Sequence, residues 1–389
     1  MKDQYSIALI GCGRIASKHL DAINFFHHRV RELFIVDPAP EAHSRIKELV
    51  SEHLEDVCFS YSSLSELLSQ HSPDIVIITT PPMTHYNLAH EALESGAALL
   101  VEKPICLDYK EAYELARLAE DKNTVILVGY IYRYLPFMNI IKNDIDNGLF
   151  GELKEARLNM EWGHDQAYYD ASHWRGSWTG EGGVLMNQTI HALDLISYLS
   201  NRRALSVLSS KLQQRLHRLE AEDTAEAVIQ YSQGMVAKIF ASTAIVDKDK
   251  NPNHKEILFE IKGSSGKVAL LRKGDRFSLK YKLNGRPFYP FFHLSYQILR
   301  QASKIGFRTL IHKIKNPHLS IYEDLLISLD KGKKPIISAT EAAEAVELVS
   351  AIYKSALLGS KKITLPLNNF SMMDMENHFN QDTSTNHQE

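Results

Sequence analysis

Over the first 130 residues, short apolar runs alternate with longer segments whose apolar positions recur at helical spacing. Tyr5-Ser6-Ile7-Ala8-Leu9-Ile10 is mostly apolar, the pattern of a strand covered on both faces in a parallel sheet. It runs into Gly11-Cys12-Gly13-Arg14-Ile15-Ala16, and a helical pattern follows through Leu20, Ile23 and Phe26. A second strand, Leu33 to Val36, ends at Asp37-Pro38 and precedes a helical segment from Glu41 to Glu52. Asp74 to Ile78 predicts a third strand, closed by Thr79-Thr80-Pro81-Pro82. A helix over Tyr86 to Ser95, a stop at Gly96 and a strand over Ala98 to Val101 come next. A helix over Tyr109 to Asp121 and a strand over Thr124 to Gly129 complete the series. Strands alternating with helices of this length predict an α/β fold with a doubly wound parallel sheet.

After Tyr130 the alternation stops. Strand-like stretches lie within Glu152 to Trp162 and Ala225 to Ala244, and again over Glu256 to Ile261, Lys267 to Leu271 and Phe277 to Leu283. Successive short strands predict an α+β domain with a mainly antiparallel open sheet. Helical patterns cover Leu185 to Leu199, the region Ile321 to Asp330, and Thr340 to Leu358. The polar stretch from Asn368 onward has the composition of a disordered tail.

Composition narrows the class. At 44% hydrophobic and 23% charged, the 389 residues have the mix of a soluble globular protein. No apolar run approaches the ~18 residues of a membrane-spanning helix, and the N-terminus carries no signal-peptide pattern. The cysteines Cys12, Cys58 and Cys106 lie far apart and form no CxxC pair, so no metal site and no disulfide framework is indicated. The cytoplasm is the expected compartment.

The glycine-rich segment gains meaning from its setting. It follows a strand, opens a helix, and is followed by an acidic residue, Asp37, at the end of the next strand. Those are the contexts of the dinucleotide-binding fingerprint. Gly11 permits the tight turn, Gly13 lets backbone approach a pyrophosphate, Ala16 allows close packing, and the helix N-terminus favours negative phosphate. Asp37 would bind the adenosine ribose hydroxyls and repel a 2′-phosphate, so NAD is expected rather than NADP. This divides the chain into a dinucleotide-binding domain over 1–129, an α+β domain over 130–366, to which the resemblance given below assigns substrate binding and oligomerisation, and the tail over 367–389.

Lys103, in Glu102-Lys103-Pro104, follows a parallel strand at its carboxyl end, where ligands bind in such sheets. A partly desolvated lysine there can exchange protons near neutral pH. Asn187 and His191 stand at i and i+4 of a predicted helix and share a face. An imidazole can accept a hydroxyl proton there, and an amide can orient a substrate.

These motifs occur in the order seen in the Gfo/Idh/MocA oxidoreductases, which the chain resembles from about Ile7 to Pro366. The resemblance rests on Gly11 to Ala16, Thr80-Pro81-Pro82-Met83-Thr84-His85, Glu102-Lys103-Pro104 and Gly182 to Asp194. The late runs Tyr322 to Leu326 and Ala351 to Ala356 extend it. It implies Lys103 and His191 as catalytic residues and Tyr130, Arg133, Trp174, Arg175 and Asn187 as substrate-binding residues. It also implies cofactor contacts from Gly11, Gly13, Arg14, Ile15, Asp37, Thr80, Pro81, His85 and Glu102. Two positions depart from the family pattern. Many members have Asp where this chain has Asn187, and similar members often carry Arg after the aromatic pair where this chain has Trp162-Gly163-His164.

The implied activity is NAD-dependent oxidation of a hydroxyl on a sugar or nucleotide sugar, with surface-polysaccharide biosynthesis as one setting. Reduction of a keto-sugar or keto-inositol is the alternative, and a non-catalytic NAD-binding sugar sensor is the contrasting class. A homo-dimer or homo-tetramer is expected, without nucleic acid. Charge adds one feature. Between Arg276 and Tyr322 there are nine Lys and Arg and no Asp or Glu, so the net charge of -3 leaves -12 elsewhere. Within the insertion at 285–317, Leu294, Ile298, Ala302, Ile305, Leu310 and Ile314 approximate one helical face. Arg300, Lys304, Arg308 and His312 approximate another. The first expectation is that the apolar face covers the chain's own sheet or a sister subunit. Peripheral membrane contact is the second.

Overall fold

The first apolar runs become β1 (Tyr5–Ile10), β2 (Val30–Val36), β3 (Cys58–Tyr61), β4 (Ile75–Ile78), β5 (Ala98–Val101) and β6 (Ile126–Val128). They form a parallel sheet in the order β3-β2-β1-β4-β5-β6. β1, β4, β5 and β6 are buried along their whole length, as their largely apolar character requires. β3 was not foreseen, because Cys-Phe-Ser-Tyr is short and only partly covered. Strand order reverses between β1 and β4, so their carboxyl ends flank the crevice where such sheets bind ligands.

The computed structural model describes residues 2–245, 251 and 253–379. By contact, the chain forms two units: Met1–Pro136 with Ala302–Ala343, and Phe137–Gln301 with Glu344–Glu389. The linear division expected from sequence does not show the return of 302–343 to the first unit. Polar anchors hold that return. Asp330 accepts from the Tyr5 hydroxyl and the Arg29 guanidinium. Asp324 accepts from the Tyr134 hydroxyl and the Ile336 N–H.

The second unit is built on an eight-stranded sheet of β7 (Leu153–Trp162), β8 (Ala204–Gln213), β9 (Thr224–Tyr231), β10 (Val236–Ser242), β11 (Lys255–Gly263), β12 (Gly266–Lys273), β13 (Arg276–Leu283) and β14 (Ile363–Thr364). The order is β13-β12-β11-β7-β10-β9-β8-β14. Only the β7–β10 pair is parallel among these; the others are antiparallel. β8 and β14 escaped the sequence reading, β8 because its serines blur the alternation of apolar and polar positions. The expected tail is also partly folded: Leu367, Phe370, Met372 and Met375 are buried. Residues 380–389 lie outside the described residues.

The basic insertion differs from its expected form. It is two helices, Tyr289–Ile305 and Phe307–Lys315, broken at Gly306, whose φ of 82° is the left-handed region. A single face therefore cannot run from Leu294 to Ile314. Of the expected apolar face only Leu310 is buried, while Ile298, Ile305 and Ile314 are exposed. His312 is also drawn off the expected basic stripe, since its ring pairs with Asp21.

Two adjacent carboxyls at the start of β9 shape the second unit from within. Asp223 is buried and accepts from the N–H groups of Arg215, Leu216 and His217 at 2.8, 2.9 and 3.0 Å. Burial alone would raise its pKa, but the His217 side chain and these N–H groups outweigh burial and hold it below the ordinary value. Glu222 has the opposite fate. It lies under the Gly182-Gly183 turn, where a Cβ on Gly183 would come within 2.1 Å of Glu222 Oε2. Burial pushes its pKa from 4.5 to about 8, although Leu185 N–H and the Tyr353 hydroxyl both donate to Oε1.

A carboxyl whose folded pKa is raised stabilises the fold fully below its unfolded value, and that contribution is lost as pH rises through the folded value. Glu222→Gln keeps the acceptor and removes the titration. The variant is expected to gain stability relative to the parent by about 1.4 kcal/mol per pH unit between pH 4.5 and 8. Urea unfolding midpoints across that range measure it; parallel profiles for the two proteins would contradict the assignment.

Candidate functional site

In the first unit, the site begins where β1 ends. Gly11 has φ of 88°, and a Cβ there would lie 2.8 Å from Thr80 Cγ2 and 2.9 Å from Thr80 N. Glycine is required at this turn by both backbone and neighbour. A Cβ at Gly13 would meet nothing within 4 Å, so the space beside it is open. Thr79 closes the turn from β4, its hydroxyl donating to the carbonyls of Ile10 and Gly11. Arg14 is exposed and Ile15 half-buried at the start of helix Ala16–Phe25.

Asp37 is fixed by this loop. Its carboxylate accepts from Cys12 N–H at 2.7 Å and from Ala39 N–H at 2.9 Å. Arg45 donates to the Cys12 carbonyl at 2.8 Å, bringing a guanidinium to the same loop. Sequence reading missed Arg45 because nothing in an eight-residue offset from Asp37 marks it.

Glu102 and Lys103 follow β5. Glu102 Oε1 accepts from His19 Nε2 at 2.9 Å and from His318 Nε2 at 3.1 Å. Burial would favour the neutral acid, yet the two imidazoles outweigh it and keep Glu102 well below the usual carboxylate range. Burial also lowers the His19 pKa, so the pair is a carboxylate facing a neutral imidazole N–H. The Tyr322 hydroxyl lies 3.4 Å from the other His19 ring nitrogen. Gly129 admits the carboxylate, for a Cβ there would stand 3.0 Å from Glu102 Oε2. Lys103, half-buried, therefore follows a residue pinned from two sides.

His85 is buried, and its ring nitrogens lie 2.8 Å from the Pro104 carbonyl and 2.9 Å from the Thr80 carbonyl. It braces the Thr80-Pro81 turn against the turn carrying Lys103, which gives it an indirect part in any cofactor site. Tyr130 is fully buried at the end of β6. Arg133 is also held inside the first unit. Its guanidinium is 1% exposed and donates to Glu341 and the Ile336 carbonyl, both at 2.9 Å. It ties the returning segment down.

In the second unit, Asn187 and His191 lie on consecutive helical turns, but Leu185–Thr189 is π-helical and the α-helix begins at Ile190. The wider turn, a feature frequent at functional sites, shifts Asn187 from the regular i, i+4 alignment. The Asn187 amide donates to the buried Glu181 carboxylate and reaches the Tyr168 hydroxyl at 3.5 Å. His164 stacks on the Tyr168 ring with centroids 3.8 Å apart. The Arg175 guanidinium lies over the same ring at 4.1 Å and over Trp174 at 5.2 Å. Arg175 and Asn187 thus meet at Tyr168, with Trp174 against Arg175 and Glu181 against Asn187; Tyr168 and Glu181 carry no signal in the sequence pattern. Glu181 stands beside the glycines, and its pairing with Asn187 needs the π-turn.

Comparison with known proteins bears on the family and the fold. Residues 5–130 match the family model for the NAD-binding Rossmann fold of an oxidoreductase family, and residues 142–365 match its C-terminal alpha/beta domain. An uncharacterized oxidoreductase of Synechocystis is 26% identical over 230 residues, 57% of this chain and 60% of that protein. The chain therefore matches less than two thirds of that relative's length. Inositol 2-dehydrogenase of Rhizobium meliloti is 23% identical over 67% of this chain and 74% of its own. Among solved structures, the WlbA dehydrogenase of Bordetella pertussis, in complex with NADH and UDP-GlcNAcA, superposes with a TM-score of 0.77. It is 25% identical, and the match covers 95% of this chain and all of that one. With both domains matched in order, the chain belongs to the Gfo/Idh/MocA oxidoreductase family.

Proposed function

We propose that the protein is an NAD-dependent dehydrogenase that oxidises a hydroxyl of a sugar or nucleotide sugar. The observation that carries this reading is the glycine-rich turn with Asp37 held by the Cys12 and Ala39 N–H groups, on the same sheet edge as Lys103. The residues fit the cofactor: Gly13 leaves open space beside the loop, and the anchored Asp37 carboxylate suits ribose hydroxyls better than a 2′-phosphate. Gly11, Gly13, Asp37 and the Thr80-Pro81 turn would hold it. When bound, NAD supplies the acceptor for the hydride lost from the substrate carbon. The likeness to a dehydrogenase bound to UDP-GlcNAcA, over 95% of this chain and all of that one, supports the substrate class.

The chain's own residues position groups and move a proton. Lys103, steadied through Glu102, is proposed to receive the hydroxyl proton at Nζ, and His191 of the second unit is proposed as a catalytic imidazole in its own right. Asn187 has no proton to accept, so its amide orients substrate while Glu181 fixes the amide. Arg175 and Trp174, set by Tyr168, offer a flat cationic and aromatic surface of the kind that holds sugar or phosphate groups.

Lys103→Met is expected to lower kcat by about 10²- to 10⁴-fold while NAD binding, followed by fluorescence titration, stays unchanged. Retained turnover of NADH-forming sugars by that variant would remove Lys103 from the mechanism. If the wild-type chain binds NAD but forms no NADH across a panel of sugars and nucleotide sugars, the sensor reading replaces the enzyme. Asp37→Ser removes a charged acceptor worth about 1.5–3 kcal/mol. NAD affinity should fall roughly ten- to a hundredfold and discrimination against NADP should narrow; unchanged discrimination would place the ribose elsewhere.

A further inference from the structure

Helix Tyr289–Ile305 belongs to none of the chemistry above, and it is unusual in what it exposes. Pro290 is its one buried residue among those described. Phe288, Phe291, Phe292, Tyr296 and Leu299 are between 62% and 73% exposed. Within the helix, positions 291, 292, 296 and 299 recur at spacings of one, four and three, forming a single stripe. The other side of the helix is anchored. Buried Asp144 accepts from the Tyr281 hydroxyl of β13 at 2.7 Å and pairs with the His293 ring at 3.3 Å, and His293 stacks on Tyr289. With Tyr289 and His293 fixed inward, the aromatic stripe is directed outward by the fold and is not a consequence of a loose helix.

Scattered exposed apolar residues are ordinary, but a contiguous group of large ones marks an interaction surface. The surrounding charge says what kind. Arg286 precedes the helix and Lys304 lies in its last turn, both exposed. Exposed Lys280 and Lys282 stand on the adjoining strand, and no Asp or Glu occurs from Arg276 to Tyr322. A two-fold contact between copies through this helix would set these cations against themselves with no acid in the segment to pair them. An anionic lipid surface complements both features, since aromatic rings enter the headgroup boundary while Lys and Arg meet lipid phosphate and carboxylate. No helix among the described residues is long and apolar enough to cross a membrane, so the contact is one of lying on the surface.

We propose that the face of helix Tyr289–Ile305 carrying Phe291, Phe292, Tyr296 and Leu299, with flanking Arg286 and Lys304, docks the protein on anionic bilayers. The test is co-sedimentation of the full chain with vesicles of phosphatidylcholine, with and without phosphatidylserine. Binding is expected to the phosphatidylserine vesicles and to weaken as salt is raised. Phe291→Ser/Phe292→Ser/Leu299→Ser should abolish it. Arg286→Glu or Lys304→Glu should each weaken it at least about fivefold, the value of one surface charge near such a membrane. Circular dichroism and NAD titration establish that each variant is folded. No binding to anionic vesicles, or equal binding to neutral ones, overturns the proposal. It is also overturned if the triple variant changes the mass in solution by light scattering while the parent ignores vesicles, which would give the stripe to a second copy.

Discussion

The first unit depends on keeping one largely covered carboxylate charged. Glu102 sits at the end of β5, where an unpaired carboxylate would cost several kcal/mol or take up a proton. His19 and His318 prevent both, one from the helix after the glycine-rich turn and the other from the returning segment 302–343. The consequence reaches in two directions. Lys103 is the next residue, so its backbone origin is set by the same contacts. His318 reaches Glu102 only if 302–343 packs back on the sheet, which ties completion of the first unit to formation of this pair. Arg133 with Glu341, and Arg29 with Asp330, reinforce that return with ion pairs.

The sequence revealed the parts of this arrangement that are local. A strand, a glycine turn, a helix and an acidic residue after the next strand lie within about thirty residues, and each has a backbone reason visible in its residue type. Asp37 and Gly11 were therefore legible, as was Lys103 at a strand end. His19 was not, although it lies on the first helix, because its partner is 83 positions away. His318 is 216 positions from the same carboxylate. Nothing in periodicity links residues so far apart. The pairing of Arg133 was hidden for the same reason: the guanidinium meets Glu341, 208 positions on.

In the second unit the limit was different. The helix carrying His191 was clear from its apolar pattern, but periodicity assumes one kind of helical turn. The π-turn at Leu185–Thr189 is built from neighbours in space: Glu222 receives Leu185 N–H, and Tyr353 bridges Glu222 and Gly183 N–H. The same holds for ionisation. Glu222 and Asp223 are consecutive and both buried, yet their pKa values move in opposite directions. Asp223 faces three N–H groups and an imidazole, whereas Glu222 Oε2 has no such partner. Residue type and burial together do not determine charge; the count of donors does.

The same reasoning separates what periodicity can and cannot say about the basic insertion. Period alone assigns an apolar stripe to the protein's interior, because burial is the usual fate of such residues. Here the helix has apolar residues on more than one side, and the competition is decided by a polar contact, Asp144 with Tyr281 and His293. A buried carboxylate left without those partners would be costly, so the helix turns the His293 side inward even though this exposes Phe291, Phe292 and Leu299. The insertion's orientation thus follows from satisfying one buried acid, and the apolar surface left outside is the residue of that constraint, available for whatever surface complements it.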